Sequence, residues 1–332
     1  MQLNTKLNAS ITAVGGYVPE HRLSNKNLEQ IVDTNDEWIQ SRTGIKERRI
    51  LKDPSKATSF LAIQASKNLI SKNNIDPLTI DMVIVATTTP DMQIAATAAH
   101  VASEIGSYNA FGYDLQAACS GFLYAMSMAS GKIESGRYKK VLVVGADKMS
   151  SVIDYKDRST CILFGDGAGA VLFESNNEGL GWQDEYFKCN GDGRESLNVK
   201  AGGSLFPATS TTISNRDHYL RQDGRKVFKT AVSAMSDASS TILKRNNLVG
   251  EDIDYLVAHQ ANERIIESIA KRMSLKPSKV LKNIAKYGNT TAATIPLLLY
   301  DFQNKFKRGD KIIFAAFGGG FTWGAAYYIW SK

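Results

Sequence analysis

Asn74-Ile-Asp-Pro-Leu-Thr-Ile-Asp-Met-Val-Ile-Val-Ala86 aligns without a gap on Asn247-Leu-Val-Gly-Glu-Asp-Ile-Asp-Tyr-Leu-Val-Ala-His259. In both copies an amphipathic segment ends near the asparagine, a short acidic loop follows, and an apolar run closes on the last position. Apolar, β-branched runs bounded by turn residues read as buried strands. A second pair keeps a similar spacing, Lys140-Val-Leu-Val-Val-Gly-Ala146 against Lys311-Ile-Ile-Phe-Ala-Ala-Phe317. The chain therefore reads as a duplicated α/β unit, with one half over residues 1–175 and the other over 176–332. Strands are expected at Ile11–Val14, Met82–Ala86, Val141–Val144, Ile162–Leu163, Ala170–Phe173, Tyr255–Ala258 and Ile312–Ala316. Segments of helical period lie between several of them, which indicates α/β layering.

The length supports this division. A chain of 332 residues exceeds one ordinary core and suits two domains of roughly 100–150 residues each. With 43% apolar and 22% charged residues, the composition is that of an ordered globular protein. No run of about 18 apolar residues occurs and the N-terminal stretch lacks a secretory apolar core, so a cytoplasmic protein without membrane insertion is expected. Cys119, Cys161 and Cys189 form no CxxC pair and suggest neither a disulfide framework nor a metal site. The net charge of +7 favours an anionic partner. The basic residues are dispersed rather than clustered, so nucleic acid is not expected, whereas a phosphorylated cofactor or an acidic protein fits.

In open α/β sheets, reactive groups gather beyond the carboxyl ends of strands. Cys119 lies in Asp114-Leu-Gln-Ala-Ala-Cys-Ser-Gly-Phe-Leu-Tyr-Ala125, where a strand yields to a helix running to about Ser130. At the first turn of that helix, unpaired N–H groups and the dipole favour a thiolate nucleophile. A buried, inert thiol is the alternative. His259 ends the strand Tyr255–Ala258, facing the same edge. Asn289 stands in Lys286-Tyr-Gly-Asn-Thr-Thr-Ala-Ala-Thr-Ile-Pro296, a glycine turn entering a small-residue helix, at close to the repeat spacing from Cys119. Taken alone it is an N-cap.

Two glycine clusters remain. Phe164-Gly-Asp-Gly-Ala-Gly-Ala170 lacks the strand–helix setting of a dinucleotide site and reads as close backbone packing. Phe317-Gly-Gly-Gly-Phe-Thr-Trp-Gly324 offers an unobstructed backbone N–H suited to an oxyanion hole, or a simple bend. Cys161, in the expected strand run Thr160–Phe164, reads as core, and Cys189 has no assigned role. Cys, His and Asn also occur together in papain-like hydrolases, but the duplicated pattern argues against that fold.

Taken in order, the Ala-Ala-Cys-Ser-Gly-Phe, Val-Ala-His-Gln-Ala-Asn, Tyr-Gly-Asn-Thr-Thr-Ala-Ala and Phe-Gly-Gly-Gly-Phe-Thr-Trp-Gly segments resemble those of the β-ketoacyl-acyl carrier protein synthase III family. So do Asp33-Thr-Asn-Asp-Glu-Trp-Ile-Gln-Ser-Arg-Thr-Gly-Ile45 and Asp157-Arg-Ser-Thr-Cys-Ile-Leu-Phe-Gly-Asp-Gly-Ala-Gly169. The resemblance covers essentially the whole chain. It implies a thiolase-like fold, two pseudo-symmetric α/β halves in five αβαβα layers, and a homodimer.

The resemblance also implies decarboxylative condensation of an acyl-CoA primer with malonyl-acyl carrier protein, initiating fatty acid biosynthesis. Cys119 would be the nucleophile, His259 and Asn289 the malonyl-binding pair, and the N–H groups of Cys119 and Gly319 the oxyanion donors. Acyl-CoA is then a substrate and no permanent cofactor or metal is implied. Its contacts would be Thr34, Trp38, Arg42, Thr43 and Arg158, with adenine held between the Trp38 indole and the Arg158 guanidinium. Lys229, Arg264, Lys271 and Arg272 would face the acidic carrier protein. Ile94 stands where many members carry an aromatic that closes the partner's acyl pocket, which leaves the primer open between acetyl and short branched acyl groups. A condensing enzyme of secondary metabolism with the same three residues, or a silent carrier-protein-binding paralogue, are the rival readings.

Overall fold

The computed structural model describes residues 7–332. The first sheet takes its strands from one stretch of chain: β1 (Asn8–Tyr17), β2 (Met82–Ala86), β3 (Phe111–Leu115), β4 (Lys140–Lys148) and β5 (Asp166–Asn176), in the order β1-β5-β4-β2-β3. The second is built from β6 (Gly181–Cys189), β7 (Tyr255–Ala258), β8 (Lys311–Gly318) and β9 (Thr322–Ile329), in the order β7-β8-β9-β6. The two follow one plan. In each, the strand of the sequence repeat, β2 or β7, pairs in parallel with a central strand, β4 or β8. That strand then pairs antiparallel with β5 or β9, which carries the outer strand β1 or β6.

Side-chain alternation divides each sheet between two cores, as the two-residue period of a strand requires. Val83 and Val85, with Leu142 and Val144, face helices α2 (Thr58–Lys72) and α3 (Thr97–Glu104). On the opposite face, Met82, Ile84, Val141 and Val143 join a central core with Phe122 and Met126 of helix α4 (Gly121–Glu134). That same core holds Val257, Ile312 and Phe314 from the second sheet and Leu298 of helix α7 (Thr294–Phe302). The outer face of the second sheet, with Leu256, Ile313 and Ala325, packs on helices α5 (Gly224–Arg245) and α6 (Glu263–Arg272). The layers therefore run α2/α3, sheet, α4/α7, sheet, α5/α6, the five-layered thiolase-like arrangement. Among the described residues no helix is long and apolar enough to cross a membrane.

The halves differ at one edge. β3 pairs in parallel with β2, whereas its counterpart shrinks to a single parallel bridge between Val280 and Leu256. Only Val280 and Leu281 are apolar there, between the Pro277–Lys279 turn and Lys282-Asn283.

The expected strand at Ile162–Leu163, and with it the run Thr160–Phe164, is corrected. Arg158–Cys161 is a helical turn capped by Asp157, whose carboxylate accepts from the Ser159 N–H, and Phe164 makes only an isolated bridge to Asn289. The cap satisfies backbone donors that a strand would leave to a neighbour. Cys161 is nonetheless buried in the core. The 164–170 glycines are packing positions, since a Cβ on Gly165 would lie 2.5 Å from the Tyr287 carbonyl oxygen and one on Gly169 2.7 Å from Pro296.

Candidate active site

Cys119, His259, Asn289 and Gly319 line one cavity of about 750 Å³ between the halves. Cys119, His259 and Gly319 reach it from the carboxyl end of a strand or the turn beyond, and Asn289 from the turn after the short helix Ile284–Tyr287. Cys119 follows β3 in a 3-10 turn, Ala118–Ser120, that leads into α4. Ala118 holds φ at +47, a left-handed bend that turns the chain sharply before the nucleophile. The turn is fastened to β9: the Thr322 hydroxyl donates to the Ala117 oxygen at 2.9 Å, and the Ser120 hydroxyl donates to the Thr322 oxygen at 3.0 Å.

The pull toward a Cys119 thiolate expected at the helix start is outweighed by burial. Burial pushes its pKa up to about 12, and the Asp147 carboxylate adds to the rise. The thiolate loses more on desolvation than the turn and the helix dipole return. At neutral pH Cys119 is therefore a thiol.

His259 ends β7, and its own N–H donates to the Ala315 oxygen at 2.8 Å. Its Nδ1 lies 2.7 Å from the Thr294 hydroxyl, which in turn donates to the Thr291 oxygen at 3.0 Å. With the hydroxyl proton so engaged, Nδ1 carries hydrogen and donates to Thr294, leaving the Nε2 lone pair as the free acceptor. Burial lowers the His259 pKa to about 3, so the ring is neutral at physiological pH.

That shift has a consequence for stability. An unfolded His binds a proton near pH 6.5 while the folded one resists until about pH 3. The stability it contributes is therefore present above pH 6.5 and lost as pH falls. Between pH 7.5 and pH 5 the native state should lose about 2 kcal/mol through this group. Thermal melts at the two pH values should show a smaller acid loss for His259→Asn than for the unsubstituted protein.

Asn289 is oriented by the turn that follows it. The Thr291 N–H donates to Asn289 Oδ1 at 2.8 Å, so the amide Nδ2 remains as the donor toward the cavity. Asn289 also bonds through its backbone to the first half: its N–H donates to Leu163 and its oxygen accepts from Gly165. The spacing argument that matched Asn289 with Cys119 is corrected here. Ser120 N–H to Ala117 oxygen at 3.1 Å repeats as Ala293 N–H to Thr290 oxygen at 3.0 Å, which makes Ala292 the counterpart of Cys119.

Beside Cys119 lies the Phe317–Gly320 bend. A Cβ on Gly318 would stand 2.7 Å from the Cys119 nitrogen and 2.9 Å from the Ala117 oxygen. Glycine here lets the second sheet approach the Cys119 backbone. Gly318→Ala should slow acylation of Cys119 about 100-fold, the cost of one misplaced oxyanion donor, as read by the rate of mass gain from an acyl-CoA.

Residues 113–191 match the family described as 3-Oxoacyl-[acyl-carrier-protein (ACP)] synthase III, and residues 243–330 match its C-terminal part. A β-ketoacyl-acyl carrier protein synthase III 2 of Bacteroides thetaiotaomicron is 53% identical over 98% of this chain and 97% of its own length. The chain belongs to the synthase III family. As a member it is a condensing acyltransferase. A synthase III of Chlorobium chlorochromatii is 52% identical over 98% of this chain and 100% of its own. The crystal structure of 3-oxoacyl-[acyl-carrier-protein] synthase III from Aquifex aeolicus is similar with a TM-score of 0.89 and 40% identity, covering 97% of this chain and 100% of that one.

The remaining residues expected of a synthase III fall in three places. Helix α1 (Asp36–Thr43) carries Trp38, whose ring is exposed, with the Arg158 guanidinium 5.7 Å from its centroid. Trp38 is thus not the core residue of an amphipathic helix. Ser159, next to Arg158, lines the cavity, whereas Trp38 and Arg158 themselves do not. Thr34 has a buried hydroxyl without a protein partner. Arg42 is exposed, but Thr43 is buried, and its hydroxyl donates to Ile39 and accepts from the Ile45 N–H. Thr43 therefore shapes the helix end rather than offering a hydroxyl to a ligand.

Lys229 on α5 and Arg264, Lys271 and Arg272 on α6 are all exposed. Arg264 lies over the Phe228 ring, which also lines the cavity, and Arg272 pairs with Asp237 at 3.5 Å. Ile94 is fully exposed with φ at +75 and does not reach this chain's own cavity. Sequence reasoning missed Thr294, Thr291, Gly318 and Asp147; only the second repeat pair, continued by one residue, could have pointed to the last two.

Proposed function

We propose that the chain joins an acyl group, carried as a thioester on Cys119, to the two-carbon unit left when malonyl-acyl carrier protein loses carbon dioxide. The observation that carries this reading is the convergence on one cavity of a buried thiol, a neutral imidazole and an amide turned donor-inward.

In the first half-reaction Cys119 Sγ attacks the acyl-CoA carbonyl carbon while its proton passes to His259 Nε2. The oxyanion is received by the N–H groups of Cys119 and Gly319. Collapse breaks the carbon–sulfur bond to CoA, whose thiolate takes the proton from the ring. A neutral ring suits this step, because an imidazolium could not accept the proton.

In the second half-reaction the malonyl carbon–carboxylate bond breaks and its electron pair passes to the thioester oxygen as an enolate. Asn289 Nδ2 and His259 Nε2 donate to that oxygen; the ring does so in its other neutral tautomer, reached when water gives Nε2 a proton and takes the one on Nδ1, after which the Thr294 hydroxyl turns from Thr291 to donate to Nδ1. The enolate carbon then attacks the acyl-Cys carbonyl. A carbon–carbon bond forms, and the departing Cys119 thiolate takes a proton from water.

CoA adenine would enter between Trp38 and Arg158 once the guanidinium, 5.7 Å from the indole centroid, moves outward, with Thr34 and Arg42 beside it, since stacking on an indole and a guanidinium needs no base-specific contacts. The exposed cations Lys229, Arg264 and Lys271 suit an acidic carrier protein; Arg272 is held by Asp237. A homodimer would cover the unpaired edge of β3, which exposes Phe111, and bring Ile94 to the partner's cavity. Residues 1–175 and 176–332 would be the two halves, acting together in the cytoplasm.

Intact-protein mass after mixing with straight and branched acyl-CoAs, followed by malonyl-acyl carrier protein, tests the reading. An acyl adduct that disappears with release of carbon dioxide and a 3-oxoacyl product supports it. No adduct from any acyl-CoA would sink it.

A further inference from the structure

Asp147, the penultimate residue of β4, has no exposed surface, and every group that hydrogen bonds to it is neutral. Its Oδ1 accepts from the Thr88 N–H at 2.7 Å, the Thr89 N–H at 3.1 Å and the hydroxyls of Thr87, Thr88 and Thr89. Its Oδ2 accepts from the Ala292 N–H at 3.1 Å and from the Thr291 hydroxyl. A buried carboxylate is costly even when hydrogen-bonded, and the condensation as described uses none here.

The duplication explains its place. Met82 is the repeat partner of Tyr255, and these pair with Val141 and Ile312 respectively. Counting along both central strands from that pair sets Asp147 at the position of Gly318. The turns they face are also counterparts. Ala118 and Thr291 both hold positive φ, +47 and +51, and each is followed by the residue whose amide is approached. Gly318 leaves open the space at the Cys119 amide, while Asp147 fills the matching space at the Ala292 amide.

We infer that Asp147 is a built-in anion occupying the second half's counterpart of the oxyanion hole, and that it positions Asn289 for condensation. The inference rests on the reading above, in which the Cys119 amide receives the acyl oxyanion. One copy of the amide is left bare for a transient oxyanion; the other is filled permanently by a side chain. The permanent anion holds Thr291 in a left-handed conformation that β-branched residues rarely adopt. The Thr291 N–H is thereby aimed at Asn289 Oδ1, which fixes the amide with its donor toward the cavity. Asp147 is a positioning residue, acting through Thr291 and touching no substrate.

Asp147→Asn keeps the size of the side chain but sets an amide N–H against that of Ala292. Acylation of Cys119 should proceed within about threefold of wild type or faster, while kcat for condensation falls about 100-fold with KM for malonyl-acyl carrier protein changed less than about threefold. Thr291→Val, which removes one hydroxyl at constant shape, should fall in the same direction, and Thr291→Ser should restore condensation. This pair decides the matter independently of how well Asp147→Asn folds. Parallel loss of both half-reactions, no loss of condensation, or failure of Thr291→Ser to restore it would overturn the inference while leaving the proposed reaction standing. A wild-type protein that forms no acyl adduct would overturn both.

Discussion

Cys119→Ser should abolish acyl transfer, lowering adduct formation by about four to six orders of magnitude, as losing the nucleophile of a coupled catalytic set does. The thiol already sits in a dry site where burial and Asp147 push its pKa up to about 12. An alcohol there would hold its proton far more firmly, and the only base at hand is a neutral ring whose pKa burial has lowered to about 3. Sulfur reacts because its larger, softer lone pair attacks as the proton leaves; oxygen in the same place has neither advantage. The variant should still fold, with Tm within about 5 °C of wild type, because one buried hydroxyl costs about 1–3 kcal/mol at most. Intact mass after incubation with acyl-CoA reads the loss directly. An adduct forming on the serine variant at a rate near wild type would place the acyl group on another residue.

Much of the fold was legible in the repeat. The strands expected at Met82–Ala86 and Tyr255–Ala258 have those bounds in the structure, because each is a fully apolar run between turns. β6 and β9 escaped notice for an opposite reason. Gly181–Cys189, an edge strand, carries the polar run Gln183-Asp184-Glu185 in its middle, and Thr322–Ile329 carries glycine and alanine where β-branched residues would announce a strand. Their pairing partners, distant in sequence, make them strands.

At the site, the three reactive residues were visible as residue types at element ends, but their protonation states were not. The helix start favoured a thiolate and left a buried thiol as the alternative; what decides between them is burial between two sheets, which no local pattern of residues records. Asp147 and Gly318 were hidden in another way. The duplicated strands carry different residues at that position, so the continued repeat aligns them without signalling a shared place, and the likeness emerges from the turns that each residue faces.

Asn289→Ala should leave the first half-reaction nearly untouched and cripple the second. The Asn289 side chain has its oxygen engaged by Thr291, and only its amide donor is available to a ligand. Acylation calls on the Cys119 and Gly319 amides and on His259 Nε2, none of which the substitution removes. Condensation calls on the Asn289 donor when charge builds on the malonyl thioester oxygen, and a donor aimed at developing charge is worth about 100–1000-fold in rate. The expected result is an acyl-enzyme that forms at close to the wild-type rate and then persists after malonyl-acyl carrier protein is added, with carbon dioxide release falling in step with product. The alanine also frees the Thr291 N–H, so a small acylation change, within about threefold, is consistent with slight relaxation of the turn. Equal loss of both steps would mean that Asn289 serves the architecture of the cavity and that the enolate is stabilised by other donors.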